Sequence, residues 1–140
     1  MPLTSDEDIS ALLRATKTIA VIGASNKPER ASYGVMAAVQ AHGFSVLPVN
    51  PGLAGGTIHG ATVVADLAAI GEPVDMVDIF RNSEAAAEAV DQAIAAGAKS
   101  VWLQLGVVNE EAASRAEKAG LKVVMDRCLK IELGRLGVTA

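Results

Sequence analysis

Aromatic residues are scarce in this chain: one Trp, one Tyr and two Phe make up 3% of its 140 residues. A surface that stacks the bases of single-stranded nucleic acid needs more of them. Basic charge is also short. Lys and Arg number 12 against 16 Asp and Glu, a net charge of -4, so the positive footprint of a nucleic-acid binder is missing. The single cysteine, Cys128, excludes an intramolecular disulfide and suits a reducing compartment. No apolar run reaches bilayer-spanning length, and acids stand near the start where a secretory leader carries bases. These absences predict a cytoplasmic protein with no nucleic-acid and no membrane partner. His42 and His59, with one cysteine, do not make a metal site.

What is present is a regular alternation of elements, within a length that fits one domain and a composition that is 51% hydrophobic. Thr4-Ser5-Asp6-Glu7 reads as a capping box with Thr4 as cap, opening a helix to about Ala15. Strands are predicted at Thr18–Ile22, Ser45–Val49, Val74–Ile79, Ser100–Gln104 and Lys122–Met125. Helices are predicted over Ser32–His42, from a Ser83 cap to Gly97, from an Asn109 cap to Gly120, and over Leu129–Leu136. Gly52–Gly60 reads as a glycine-rich loop, and Asp66 as the cap of a short helix through Ile70.

Strands separated by helices imply a parallel sheet with right-handed crossovers and both faces covered. The fold class predicted is a three-layer α/β, Rossmann-like domain with a mainly parallel five-stranded sheet in the order 3-2-1-4-5. The segments after the strands then share one edge, where ligands bind. They are Gly23–Ser32, Asn50–Gly56, Phe80-Arg81-Asn82, Gln104-Leu105-Gly106 and Asp126-Arg127-Cys128.

Residues 18–34, TIAVIGASNKPERASYG, carry the most functional information. A β-branched run ends in Gly23, a loop with Lys27, Pro28 and Arg30 follows, and Ser32 opens a helical pattern. A strand that ends in glycine and feeds a helix start is an anion-binding device, because free N–H groups and the helix dipole face the ligand. The loop is not the dinucleotide fingerprint: Ser25 and Pro28 stand where its second and third glycines belong. Nor does the second strand end in the acid that holds a nicotinamide cofactor's ribose; it ends in Asn50-Pro51.

Taken in order, VIGASNKPERASYGV (21–35), VLPVNP (46–51), VDMVDIFR (74–81), AGAKSVWLQLGVVNEEAA (96–113) and AGLKVVMDRCLKIE (119–132) resemble the small free-standing CoA-binding proteins. These are similar to the N-terminal CoA-binding domain of the succinyl-CoA synthetase alpha subunit. The resemblance implies one Rossmann-like domain over residues 1–140, with residues 1–16 as an N-terminal helix, that binds coenzyme A or an acyl-CoA. It implies the pyrophosphate at the Gly23–Tyr33 loop (Gly23, Ser25, Lys27, Arg30, Ser32, Tyr33) and the adenosine near Asn50 and Pro51. Phe80 and Arg81 then lie across the crevice, with Gln104 completing the set. It does not extend to the synthetase's second domain or to an ATP-grasp domain, so it does not imply acyl-CoA synthesis.

Each residue also has a plainer reading. Lys27 and Arg30 read either as phosphate contacts or as solvated loop charges, and Ser32 as a helix cap. Arg81 pairs either with phosphate or with a carboxylate such as Asp78. Trp102 reads as core. Cys128 reads either as a reactive thiol at a helix start or as a small buried side chain, with Asp126 opposing its ionisation. No residues stand out as catalytic. The functional expectation is a carrier, sensor or regulatory module for a nucleotide-like small molecule. The alternatives are an NAD(P)-binding oxidoreductase domain and a docking partner of a separate acyl-CoA ligase or acyltransferase.

Overall fold

The computed structural model describes all 140 residues. Its helices are α1 (Asp6–Arg14), α2 (Ala31–Ala41), α3 (Ala86–Ala95), α4 (Glu110–Lys118) and α5 (Leu129–Leu136). Its strands are β1 (Thr18–Ile22), β2 (Ser45–Val49), β3 (Thr57–Ile58), β4 (Ala61–Thr62), β5 (Met76–Ile79), β6 (Ser100–Leu103) and β7 (Lys122–Val124). Five of them form a parallel sheet in the order β2-β1-β5-β6-β7, and β3 and β4 make a small antiparallel hairpin. Side chains alternate across the sheet. Ile19 and Val21 face a layer made by α1, α2 and α5, while Ala20 and Ile22 face a layer made by α3 and α4. The three-layer α/β architecture matches the expectation.

The strand order does not. Numbering the five sheet strands along the chain, the order is 2-1-3-4-5 rather than 3-2-1-4-5. The reason lies in residues 50–75, which hold no α-helix but two short 3-10 turns, Pro51–Leu53 and Leu67–Ala69, and the hairpin. The first crossover, through α2, covers one face. A right-handed return in the opposite direction must cross the other face. Leu67, with Val64 and Ile70, packs there, among the residues of α3 and α4. The chain therefore passes over β1 and lays β5 on its far side.

Three caps also differ from expectation. Ser5, not Thr4, caps α1, its Oγ accepting from the Asp8 N–H at 3.1 Å, while the Thr4 carbonyl accepts from Arg127 Nη2 at 3.0 Å. Ser32 does not cap α2: Arg30 occupies that position without a side-chain bond, and Ser32 is buried in the first turn. Before α3, Asn82 Oδ1 takes the Ala85 N–H at 2.7 Å, while Ser83 Oγ takes the Val108 N–H at 3.0 Å and so ties two loops of the ligand edge. Asn109 and Asp66 cap as expected, accepting from Ala112 and Ala69 at 2.9 Å each.

Candidate functional site

The first crossover leaves β1 in one direction, and all later strands lie in the other. The sheet order thus reverses between β1 and β5, the position where open α/β sheets hold ligands. A cavity of about 810 Å³ opens there. Gly23, Ser25, Lys27, Arg30 and Ser32 line it from the first loop, Asn50 from the end of β2, Phe80 and Arg81 from the end of β5, and Gln104 from the end of β6.

Two expected residues lie elsewhere. Tyr33 turns its ring onto His59, with centroids 4.2 Å apart, and its carbonyl meets His59 Nε2 at 2.8 Å. Pro51 starts the exposed 3-10 turn, and it is Gly52 and Leu53 that reach the cavity. Asn26 and Asn82, from the expected edge segments, also line it, and so do Val107 and Ile131, which lie outside those segments. Ile131 stands three positions after Cys128, one helical turn on, and that spacing was its signal.

The electrostatics of the cavity have one sign. Lys27, Arg30 and Arg81 are its charged lining residues, and no carboxylate lines it. Arg81 pairs with neither Asp78 nor any other acid. Both α2 and α5 begin at this cavity, and neither has a side-chain cap, whereas α1 and α4 are capped. Their first N–H groups and positive dipole ends therefore add to the attraction for an anion. Arg127 is turned away, bonded to Glu132 at 2.9 Å and to the Thr4 carbonyl at 3.0 Å.

Asn50 is engaged within the protein. Its Nδ2 donates to the Ala24 carbonyl at 2.7 Å and its Oδ1 accepts from Gly52 N–H at 2.8 Å. It thereby fixes the β1 loop to the glycine-rich loop. Gly23 adopts φ +84°. Both Gly23 and Ala24 donate their N–H groups to the Val49 carbonyl, at 3.3 Å each.

Beneath the cavity lies Asp78, fully buried in β5. Gln104 Nε2 donates to its Oδ1 at 2.6 Å, and its Oδ2 has no partner. Burial pushes this carboxyl up to about 7, against the opposing bonds from Gln104 and the Ile79 N–H. Trp102 is core, as expected, its Nε1 bonded to the Arg127 carbonyl at 2.8 Å. No group of three or more His, Cys, Asp or Glu side chains gathers as a metal site, and no helix is long and apolar enough to cross a membrane.

Residues 17–134 match the family described as CoA binding domain. The chain is 36% identical over 127 residues to YneT of Bacillus subtilis (strain 168), covering 91% of this chain and 93% of that one. It superimposes on a hypothetical protein from Pyrococcus horikoshii OT3 with TM-score 0.90 and 39% identity, covering 97% of this chain and 96% of that chain. The fold alone recurs at 22% identity and TM-score 0.69 in the dinucleotide forming acetyl-coenzyme A synthetase 1 of Ca. Korarchaeum cryptofilum. There the match covers 82% of this chain and 28% of that one.

Proposed function

This chain belongs to the CoA-binding domain family, and we propose that it holds coenzyme A or an acyl-CoA as a carrier, sensor or regulatory module without catalysing a reaction. The observation that carries the reading is the convergence of Lys27, Arg30, Arg81 and two uncapped helix starts on one cavity that no carboxylate lines. That arrangement suits a ligand with several phosphates. In this reading the pyrophosphate lies over the loop from Gly23 to Ser32 and the adenosine lies near Asn50, Gly52 and Leu53. The pantetheine arm runs between Phe80 and Gln104 toward Cys128. The finer likeness to the succinyl-CoA synthetase alpha subunit, a single domain and a cytoplasmic location belong to the same proposal.

The nicotinamide alternative is weakened by Asn50. It stands where an acid would grip the ribose, and both ends of its amide are bonded to backbone. The docking reading has an observation in its favour: Leu105, Val108 and Ile131 are 65%, 41% and 57% exposed, and two of them line the cavity. Calorimetry with CoA and with NAD tests the proposal. CoA is expected to bind and NAD to bind much more weakly. Equal affinity for NAD would overturn it.

A further inference from the structure

Asp78 and Gln104 stand on the same side of the sheet, the side covered by α1, α2 and α5. Register pairs Asp78 with Trp102, so Gln104 lies two residues further along the neighbouring strand path, on the same face. Asp78 has no access to water, whereas Gln104 is 4% exposed and lines the cavity. The amide therefore has two ends with different surroundings. Its Nε2 is bonded to Asp78 Oδ1 at 2.6 Å, and no protein donor reaches its Oε1.

We propose that Asp78 is a positioning residue that acts through Gln104, its protonation deciding whether the cavity is offered the oxygen or the NH2 end of that amide. An ionised carboxylate is acceptor-only, so it holds the NH2 end and turns Oε1 to the ligand as an acceptor. A protonated carboxyl has one O–H to donate. When the proton sits on Oδ1, a half-turn of the amide lets that O–H bond Oε1, and the NH2 end becomes the face shown to the ligand. The proton is exchanged with solvent during transient opening around Gln104; it forms the O–H of Asp78, and no other covalent bond of the protein changes. The unpartnered Oδ2 makes the choice sensitive, because a buried anion with one orphan oxygen is costly to maintain. With Asp78 titrating near 7, both forms are accessible around neutrality.

The surroundings leave Asp78 in charge of its own titration. The neighbouring β1 and β6 carry no titratable side chain. On the covering helices, Asp6 and Glu132 are both bonded to Arg135, and Glu132 also to Arg127. The remaining groups there are Tyr33, turned to His59, with Cys128, Lys130, Glu7, Asp8 and Arg14. Lys27, Arg30 and Arg81 line the cavity beyond Gln104, and none of these groups bonds or pairs with Asp78.

The ligand arm of the proposed function carries amides with both an N–H and a C=O, so the two forms of Gln104 offer it opposite partners, and affinity depends on which end is shown. This clause rests on the CoA reading; the titration itself does not. In ligand-free protein, the Gln104 side-chain amide NMR signals are expected to shift through a titration near 7, and to stay flat in Asp78→Asn. A flat Gln104 response in the unsubstituted protein would overturn the proposal. With ligand, the ratio of CoA affinity at about pH 8 to that at about pH 6 should differ roughly tenfold between the unsubstituted protein and Asp78→Asn, the worth of one mismatched hydrogen bond. The phosphates of CoA titrate in both proteins, so the comparison removes them. An equal ratio in the two proteins would overturn the proposal. If CoA binds neither protein while the Gln104 signals titrate with Asp78, the selector stands and the CoA reading falls.

Discussion

A Cβ placed on Gly23 would lie 2.2 Å from the carbonyl oxygen of Phe80. The two residues face each other where β1 and β5 end, next to the bond from the Phe80 N–H to the Ile22 carbonyl at 2.9 Å. Gly23 is thus required by the protein's own backbone as well as by any ligand. Its φ of +84° adds a second reason. Gly23→Ala is expected to cost more than about 2 kcal/mol in urea unfolding, from the strained backbone and the clash together. Gly34, inside α2, has nothing within 4 Å of its added Cβ. Gly34→Ala should therefore stabilise by about 0.5–1 kcal/mol, and the contrast between the two alanines is the check.

Lys27→Ala and Arg30→Ala should each weaken CoA binding by about 1–3 kcal/mol while leaving the melting temperature unchanged, because both side chains are exposed and hold no protein partner. Calorimetry with CoA and dephospho-CoA shows which of them meets the ribose phosphate. Full affinity in the double variant would remove the phosphate site from this loop.

The strand and cap signals that were legible are local ones. Thr18–Ile22 is β-branched at four of five positions and apolar from Ile19 on, and Asn109 stands directly before its helix, so neither needs knowledge of distant residues. The strand order was not legible, because it depends on which face the helix-free link between β2 and β5 crosses. Tyr33 was misplaced for a similar reason. Its partner, His59, comes from the hairpin, far along the chain. Three residues before Arg81, Asp78 is one candidate carboxylate for it in the sequence. The signal against that was its place inside Met76-Val77-Asp78-Ile79, a strand with neighbours on both sides and layers on both faces.

The raised pKa of Asp78 also has a consequence for stability. A carboxyl that stays protonated in the folded chain, up to about 7, but ionises near its ordinary value when unfolded, makes the folded state bind more protons between those two points. Stability should therefore fall as pH rises from about 4 to about 7 and level off above that. Asp78→Asn removes this slope. It should melt close to the unsubstituted protein in mild acid and well above it at about pH 8, by an amount of order a few kcal/mol. Parallel pH profiles for the two proteins would contradict the burial effect.

Cys128 lines the cavity, half-buried, at the start of α5. The adjacent Asp126 turns its Oδ1 to the Gly106 N–H at 2.7 Å. Cys128→Ser is expected to bind CoA as the parent does. Treated with CoA disulfide, the parent should react slowly, its thiolate forming a mixed disulfide as one CoA thiolate leaves. Intact-mass analysis reads this directly. Fast addition of one CoA, lost in Cys128→Ser, would mark a redox role instead of plain binding.

The family match spans residues 17–134, yet the fold extends beyond both limits. Ile9 and Leu13 of α1 are completely buried, the Leu3 N–H bonds the Val123 carbonyl at 2.7 Å, and Arg135 Nη1 and Nη2 grip both carboxylate oxygens of Asp6. At the other end Val138 is buried and the Ala140 N–H bonds the His42 carbonyl at 2.8 Å, behind α2. A recombinant fragment trimmed to the matched segment would expose the apolar groove that α1 fills and release the last residues of the chain from the end of α2. Such a fragment would tend to aggregate, and any loss of binding in it would report on a damaged scaffold rather than on the ligand-binding loops.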